Sequence, residues 1–169
     1  MQQQIEIFLQ PGEYFVGGAE YRVRTLLGSC VSVALWHPTR RIGGMSHFLL
    51  AEGGRNSLPT LDGRYGNDAL RLLLRGLSLS NVEPRHCQAK LVGGGNMFPG
   101  QQLGRVMHIG QKNGEAARSL LAEHGIPIVS ESLFGAGHRQ VVFDIATGDV
   151  WVRQVRPVAL HEYTRRGTV

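Results

Sequence analysis

Glycine is the residue that most restricts how this chain can fold. It occupies 23 of the 169 positions, nearly twice the usual share of about 7%. Much of it is clustered, at Gly17-Gly18, Gly43-Gly44, Gly53-Gly54 and Gly93-Gly94-Gly95. Because glycine favours tight turns and is unfavourable inside helices, these clusters indicate many strand ends and turns rather than a helical bundle.

The length and composition fit one globular domain. A chain of 169 residues, with 42% hydrophobic and 18% charged residues, can bury a core and is too apolar for a disordered protein. The sequence contains no internal repeat, low-complexity run or linker. We therefore expect residues 1–169 to form a single domain, with residues 157–169 as a basic C-terminal tail.

The sequence predicts a cytoplasmic protein. Its start, Met1 to Glu6, lacks the basic and apolar segments of a secretory signal. No stretch approaches the roughly 20 apolar residues of a membrane span, so we expect no membrane insertion. Two cysteines, Cys30 and Cys87, are too few for the disulfide framework of a secreted domain, which indicates a reducing compartment.

The net charge of +5 is concentrated near the C-terminus. Arg153, Arg156, Arg165 and Arg166 outnumber Glu162, so three of the five net charges follow residue 152. No aromatic interleaving or recognition motif accompanies these arginines. A solvated terminus is therefore favoured over nucleic-acid binding.

Hydrophobic periodicity predicts an α+β fold. The predicted strands cover residues 21–27, 30–36, 41–50, 89–92, 126–130, 140–145 and 150–155, with a hairpin between the last two. One helix is predicted to begin near Asn67 or Asp68, and a second to have Asn113 as its N-cap and Gly125 at its C-terminal end. Residues 51–65 are predicted to form a long surface loop.

Cys30 is the first candidate for chemistry. It follows Leu27-Gly28-Ser29, at the point where one predicted strand ends and a buried one begins. A turn with an unusual φ at Gly28 would present the sulfur and the backbone N–H groups of Ser29 and Cys30 to one pocket, as a nucleophile beside an oxyanion hole. The alternative is a buried cysteine that acts as a small hydrophobic residue.

A reactive cysteine needs a base, and His47 is the best candidate among the seven histidines. It lies 17 residues after Cys30 in an apolar segment, on the neighbouring strand of a predicted hairpin, within reach of the thiol. A buried core histidine is the alternative. Thr25, on the preceding strand, could orient the imidazole, or be an ordinary strand threonine.

The remaining motifs carry less information. The other histidines are expected at the surface: His37, His86, His108, His124, His138 and His161. Gly93-Gly94-Gly95-Asn96 lacks the spacing and the lysine of a phosphate-binding loop. The cysteines and histidines lack metal-ligand spacing, so we expect neither a metal nor another cofactor.

Five segments in this order resemble the chemoreceptor glutamine deamidases of the CheD family. They are Thr25-Leu-Leu-Gly-Ser-Cys30-Val, Gly43-Gly-Met-Ser-His47, Tyr65-Gly-Asn-Asp-Ala-Leu70, Lys90-Leu-Val-Gly-Gly-Gly-Asn-Met-Phe98 and Ile109-Gly-Gln-Lys-Asn113. The resemblance covers about residues 20–155. The sequence departs from the family pattern at Ser132-Leu133-Phe134-Gly135, where Asp-x-Gly-Gly is usual, and at Lys112, where arginine is common.

The resemblance implies an αββ sandwich, with two packed mixed sheets and two main helices covering one face. It also implies that Cys30 is the nucleophile, His47 its base and Thr25 the third catalytic residue. The implied reaction converts glutamine side chains of methyl-accepting chemotaxis receptors, within their cytoplasmic helical bundle, to glutamate through a thioester on Cys30. A CheC-type phosphatase is a candidate partner.

Two alternatives stay open at this point. A different Cys-His acyl-transfer enzyme, such as a protease, a transglutaminase or a receptor methylesterase, uses the same thioester chemistry. A non-catalytic module that docks receptors or signalling proteins through its glycine-rich loops would need no reactive cysteine.

Overall fold

The computed structural model describes residues 3–53, 60–100 and 108–157. These residues form nine strands: β1 (Ile5–Phe8), β2 (Tyr14–Gly17), β3 (Tyr21–Leu27), β4 (Val31–His37), β5 (Ile42–Ser46), β6 (Gln88–Gly93), β7 (Ile128–Leu133), β8 (His138–Asp144) and β9 (Val150–Val155). They also form two α-helices, α1 (Gly66–Leu79) and α2 (Ile109–Glu123), and one 3₁₀ turn at Pro84–His86. Neither α-helix of this described part is long and apolar enough to cross a bilayer.

The strands form two mixed sheets. One has four strands in the order β1-β3-β8-β9, and the other has five in the order β2-β5-β4-β6-β7. The pairs β1/β3 and β6/β7 are parallel, whereas the other neighbouring pairs are antiparallel.

Two hydrophobic cores separate three layers. The first joins the helices to one face of the five-stranded sheet, and includes Val33 and Leu35 of β4 with Leu73 of α1 and Leu121 of α2. The second lies between the sheets, where Ala34 and Met45 meet Val23 and Phe143. This arrangement is an αββ sandwich, so the predicted fold class is confirmed. It also explains why β4 is almost continuously apolar: alternate side chains enter different cores.

The ends of the two helices agree with the sequence predictions at some positions and differ at one. Helix α1 begins at Gly66, next to the predicted start, and α2 ends before Gly125, whose φ of +66° fits a helix-terminating glycine. The predicted N-cap at Asn113 is wrong. Helix α2 begins at Ile109, and Asn113 lies buried within it.

Other parts of the sequence predictions were incomplete. The short N-terminal strands β1 and β2 were not predicted, although each pairs with a strand that was. The predicted loop at 51–65 includes residues 54–59, and the predicted tail includes residues 158–169, all outside the described residues. The histidine at position 161 is among them.

Candidate active site

The register of β4 and β5 brings Cys30 and His47 to one face of the sheet. The pairing continues beyond the strands, since Val31 and Phe48 exchange backbone hydrogen bonds of 3.1 and 3.0 Å. In this register Ser32 lies directly opposite His47, and Cys30 is its diagonal neighbour. Cys30 packs against the core between the sheets. The predicted hairpin relationship is therefore present, and diagonal neighbours of this kind are within reach of longer side chains.

Thr25 contacts the imidazole directly. Its Oγ1 lies 2.8 Å from His47 Nδ1 and 2.8 Å from the carbonyl oxygen of Leu9. The carbonyl can only accept, so the single hydroxyl proton of Thr25 points to Leu9. His47 Nδ1 must then carry a proton and donate it to Thr25 Oγ1. In the neutral ring this leaves the lone pair on Nε2, the nitrogen available to a substrate or nucleophile.

His47 is held in its neutral form. Its side chain is 2% exposed, and burial lowers its pKa from 6.5 to about 4. Nε2 is buried and has no hydrogen-bond partner among the described residues, so the thiol of Cys30 is not bonded to it in this geometry. At neutral pH this nitrogen is therefore unprotonated and free to take a proton, which is the state that a general base requires.

The thiol of Cys30 is also neutral. Burial raises its pKa above 9.0, although the backbone N–H of the same residue acts in the opposite direction. The surroundings therefore do not keep Cys30 deprotonated at neutral pH. In this it differs from catalytic cysteines whose pKa is lowered by their environment. Cys87 lies in the core beneath the helices, where burial raises its pKa to about 11.

The loop that carries Cys30 is fixed through its carbonyl groups. The carbonyl oxygens of Gly28 and Cys30 accept hydrogen bonds from the backbone N–H groups of Gly95 and Gly94, at 2.9 and 2.8 Å. The backbone N–H of Ser29 has no acceptor within the part of the chain that the structure describes, and that of Cys30 contacts only the thiol of its own residue. Two such donors beside a thiol have the composition of an oxyanion hole.

The glycines near this loop allow close approach of the backbone. Gly93 has a φ of +122°, and a Cβ there would lie 2.2 Å from the carbonyl oxygen of Cys30. Gly43 and Gly44 also allow close approach, because Cβ atoms would lie 2.5 and 2.6 Å from carbonyls of the neighbouring strands. The prediction of an unusual φ at Gly28 is wrong: its φ lies outside the left-handed region, and its missing side chain leaves space for Met97.

One buried polar residue in this region was not predicted as part of the site. Asn113 donates through Nδ2 to the carbonyl oxygens of Ser29 and Leu49, at 3.0 and 2.7 Å. Local sequence gave no signal for this role, because an asparagine at the predicted start of a helix is explained by N-capping.

Comparison with known proteins identifies relatives over most of the chain. Residues 49–154 match the family model described as CheD chemotactic sensory transduction. The chain is 58% identical to the probable chemoreceptor glutamine deamidase CheD 2 of Albidiferax ferrireducens, over 91% of this chain and 90% of the relative. It is 46% identical to the probable chemoreceptor glutamine deamidase CheD 3 of Dechloromonas aromatica, over 87% and 86%. It is 40% identical to the probable chemoreceptor glutamine deamidase CheD of Pseudomonas syringae pv. tomato, over 96% of both chains.

Proposed function

The chain belongs to the CheD family, and from this premise we propose that it is a cysteine-dependent glutamine deamidase of methyl-accepting chemotaxis receptors. The observation that carries the proposal is the contact of Thr25 Oγ1 with His47 Nδ1, which leaves Nε2, on the face shared with Cys30, without a partner in the described part of the chain. The names of the relatives support the same reaction, because each is a probable chemoreceptor glutamine deamidase.

The first half of the reaction forms a thioester. His47 Nε2 takes the thiol proton while the sulfur of Cys30 attacks the carbon of the substrate amide. The resulting oxyanion accepts hydrogen bonds from the N–H groups of Ser29 and Cys30, each worth about 3 kcal/mol in comparable sites. The proton on Nε2 then passes to the amide nitrogen, the C–N bond breaks and ammonia leaves.

The second half hydrolyses the thioester. A water molecule gives a proton to His47 Nε2 and attacks the acyl carbon, and the C–S bond breaks. The sulfur regains its proton from His47, and the product is glutamate. Thr25 keeps the proton of the imidazole on Nδ1 throughout, which orients Nε2 for both transfers. The neutral resting pair fits this sequence, since the base is free until substrate arrives.

A protein substrate suits the surface beside Cys30. The side chain of Met97 lies over Gly28 and is 38% exposed, and the neighbouring Phe98 is 60% exposed. Leu50 follows Leu49, the residue opposite Cys30, and is 45% exposed. Such an apolar rim fits a folded surface better than a free amino acid. We assign it to the cytoplasmic helical bundle of the receptor, and a CheC-type phosphatase is a candidate partner.

The proposal also covers the setting of the enzyme. Residues 1–169 act as one domain in the cytoplasm, where the receptor bundle is accessible and both cysteines stay reduced. The reaction uses only side chains, backbone donors and water, so neither a metal nor an organic cofactor takes part in its steps.

Product analysis tests this function. The protein is incubated with a purified cytoplasmic receptor fragment from the same organism, ammonia is measured, and the fragment is mapped by tandem mass spectrometry. We expect ammonia release matched by conversion of particular glutamines to glutamate. Peptide cleavage, glutamine-lysine crosslinks or loss of methyl esters instead would assign one of the other acyl-transfer reactions. An unchanged fragment that binds the protein tightly would indicate a docking module.

A further inference from the structure

Asn113 connects the two halves of the candidate site. One nitrogen atom, Nδ2, donates to the carbonyl of Ser29, the residue before Cys30, and to the carbonyl of Leu49, two residues after His47. An amide nitrogen carries two protons, so each carbonyl receives one. The side chain is 1% exposed, which makes both bonds costly to lose.

The helix that carries Asn113 is itself held against the loop of Cys30. A Cβ at Gly110, one turn earlier, would lie 2.5 Å from the carbonyl oxygen of Gly94. Gly94 in turn donates its N–H to the carbonyl of Cys30. The N-terminal part of α2 therefore contacts the loop of Cys30 directly through Asn113, and indirectly through the approach of Gly110 to Gly94.

Among the described residues, no other side chain donates one hydrogen bond to the segment of Cys30 and another to the segment of His47. The strand pairing at Val31 and Phe48 fixes the backbone between the two catalytic candidates, because Cys30 lies on one side of this bridge and His47, opposite Ser32, on the other. Beyond it, Ser29 and Leu49 have left the named strands, and their carbonyls are joined through Asn113.

We propose that Asn113 is a positioning residue that sets the separation between the sulfur of Cys30 and Nε2 of His47. This rests on the proposed function, because it assigns Asn113 a task in that reaction. The two reacting groups are not bonded in the resting geometry, so small changes in either segment alter the distance that proton transfer must cover. A displacement of about 1 Å at a reacting group can reduce a rate by about 100-fold.

Asn113→Leu and Asn113→Ala test the proposal. Leucine keeps nearly the same shape and both residues favour helices more than asparagine does, so both variants are expected to fold. Ser119→Leu, at an exposed position of the same helix, introduces the same residue without touching the site. Folding is followed by circular dichroism and thermal unfolding.

Two activities are measured on each folded protein. With the receptor fragment, we expect kcat to fall by about 10- to 100-fold with little change in KM, because the apolar rim is unaltered. With iodoacetamide, alkylation of Cys30 at neutral pH is expected to slow by a similar factor, while Ser119→Leu matches the unmodified protein in both measurements.

The alkylation measurement separates this inference from the function on which it rests. It needs no receptor, so slower alkylation in both variants supports the positioning role even where no glutamine is converted. Folded variants that retain the original kcat and alkylation rate would overturn it. Variants that fail to fold would also overturn it, since they would make Asn113 a structural residue.

Discussion

The Oγ1 atom of Thr25 accepts the Nδ1 proton of His47 over 2.8 Å, in a position 3% exposed to solvent. Its own proton is committed to the carbonyl of Leu9, so the contact selects one tautomer of the imidazole. The role that we propose for Thr25 is therefore to orient His47.

Replacing Thr25 tests the orientation of His47. Thr25→Val keeps the shape but removes the acceptor of Nδ1–H, and we expect kcat to fall by about 10- to 100-fold. It also leaves two buried groups unpaired, each at a cost of about 1–3 kcal/mol in the free energy of unfolding. Thr25→Ser retains the hydroxyl and is expected to stay close to the original activity. Equal activity in the valine and serine variants would contradict this role.

Stability should depend on pH through His47. Its pKa is about 4 in the folded protein and 6.5 as a free side chain, so below pH 6.5 the unfolded chain binds a proton that the folded chain does not. The free energy of unfolding is therefore expected to fall as the pH drops from 6.5 towards 4, by at most about 3 kcal/mol. Urea unfolding across this range measures it. His47→Asn should remove this part of the pH dependence, and an unchanged slope in that variant would assign the effect to other groups.

The close approach at Gly93 predicts a large effect from one methyl group. Gly93→Ala places a Cβ 2.2 Å from the carbonyl oxygen of Cys30, at a φ of +122°. We expect a loss of about 2–3 kcal/mol in the free energy of unfolding, together with lower activity as the loop of Cys30 shifts. Gly125→Ala is the control, because Gly125 also has a positive φ, +66°, but among the described residues no atom beyond its chain neighbours lies within 4 Å of its Cβ position. A similar loss in both variants would show that backbone strain, and not contact with Cys30, is the cause.

Arg139 offers a stabilising substitution. Arg139 is only 2% exposed, and burial lowers the pKa of its guanidinium. It donates to Ser132 Oγ at 3.2 Å and to the carbonyls of Gly93 and Phe134, and it forms no ion pair with any carboxylate of the described residues. Ser132→Asp would place a negative carboxylate beside the guanidinium, at a position where the sequence departs from the usual family pattern. We expect a gain of about 1–2 kcal/mol in unfolding by urea.

Ser130→Asp is the matched control for that substitution. Ser130 lies two residues earlier on the same strand, is exposed and is not a hydrogen-bond partner of Arg139. It is expected to change the free energy of unfolding by less than about 0.5 kcal/mol. A Ser132→Asp protein that is less stable than the Ser130→Asp protein would contradict the account of Arg139.

Local patterns in the sequence were sufficient for the framework of the fold. The apolar run of β4 and the turn between β8 and β9 are signals carried by neighbouring residues, and both elements formed as predicted. The short strands β1 and β2 lack such a signal, because four residues contain too little periodicity. Their pairing partners in the folded chain stabilise them instead.

The candidate site was predictable only in part. Gly28-Ser29-Cys30 and His47 could be selected from residue type and from the resemblance, and the register of β4 and β5 accounts for their shared face. Asn113 could not be selected, because the carbonyls it binds lie 84 and 64 residues away in the sequence. Its N-cap interpretation relied on local helix chemistry, whereas tertiary hydrogen bonds determine its position.

The most direct measurement of the central claim compares two cysteine variants on the receptor fragment. Cys30→Ala removes the proposed nucleophile, and Cys87→Ala makes the same change at the buried cysteine of the other core. At the glutamines converted by the unmodified protein, we predict no detectable conversion by Cys30→Ala and conversion close to the original rate by folded Cys87→Ala. Conversion by Cys30→Ala at the original rate would contradict the account.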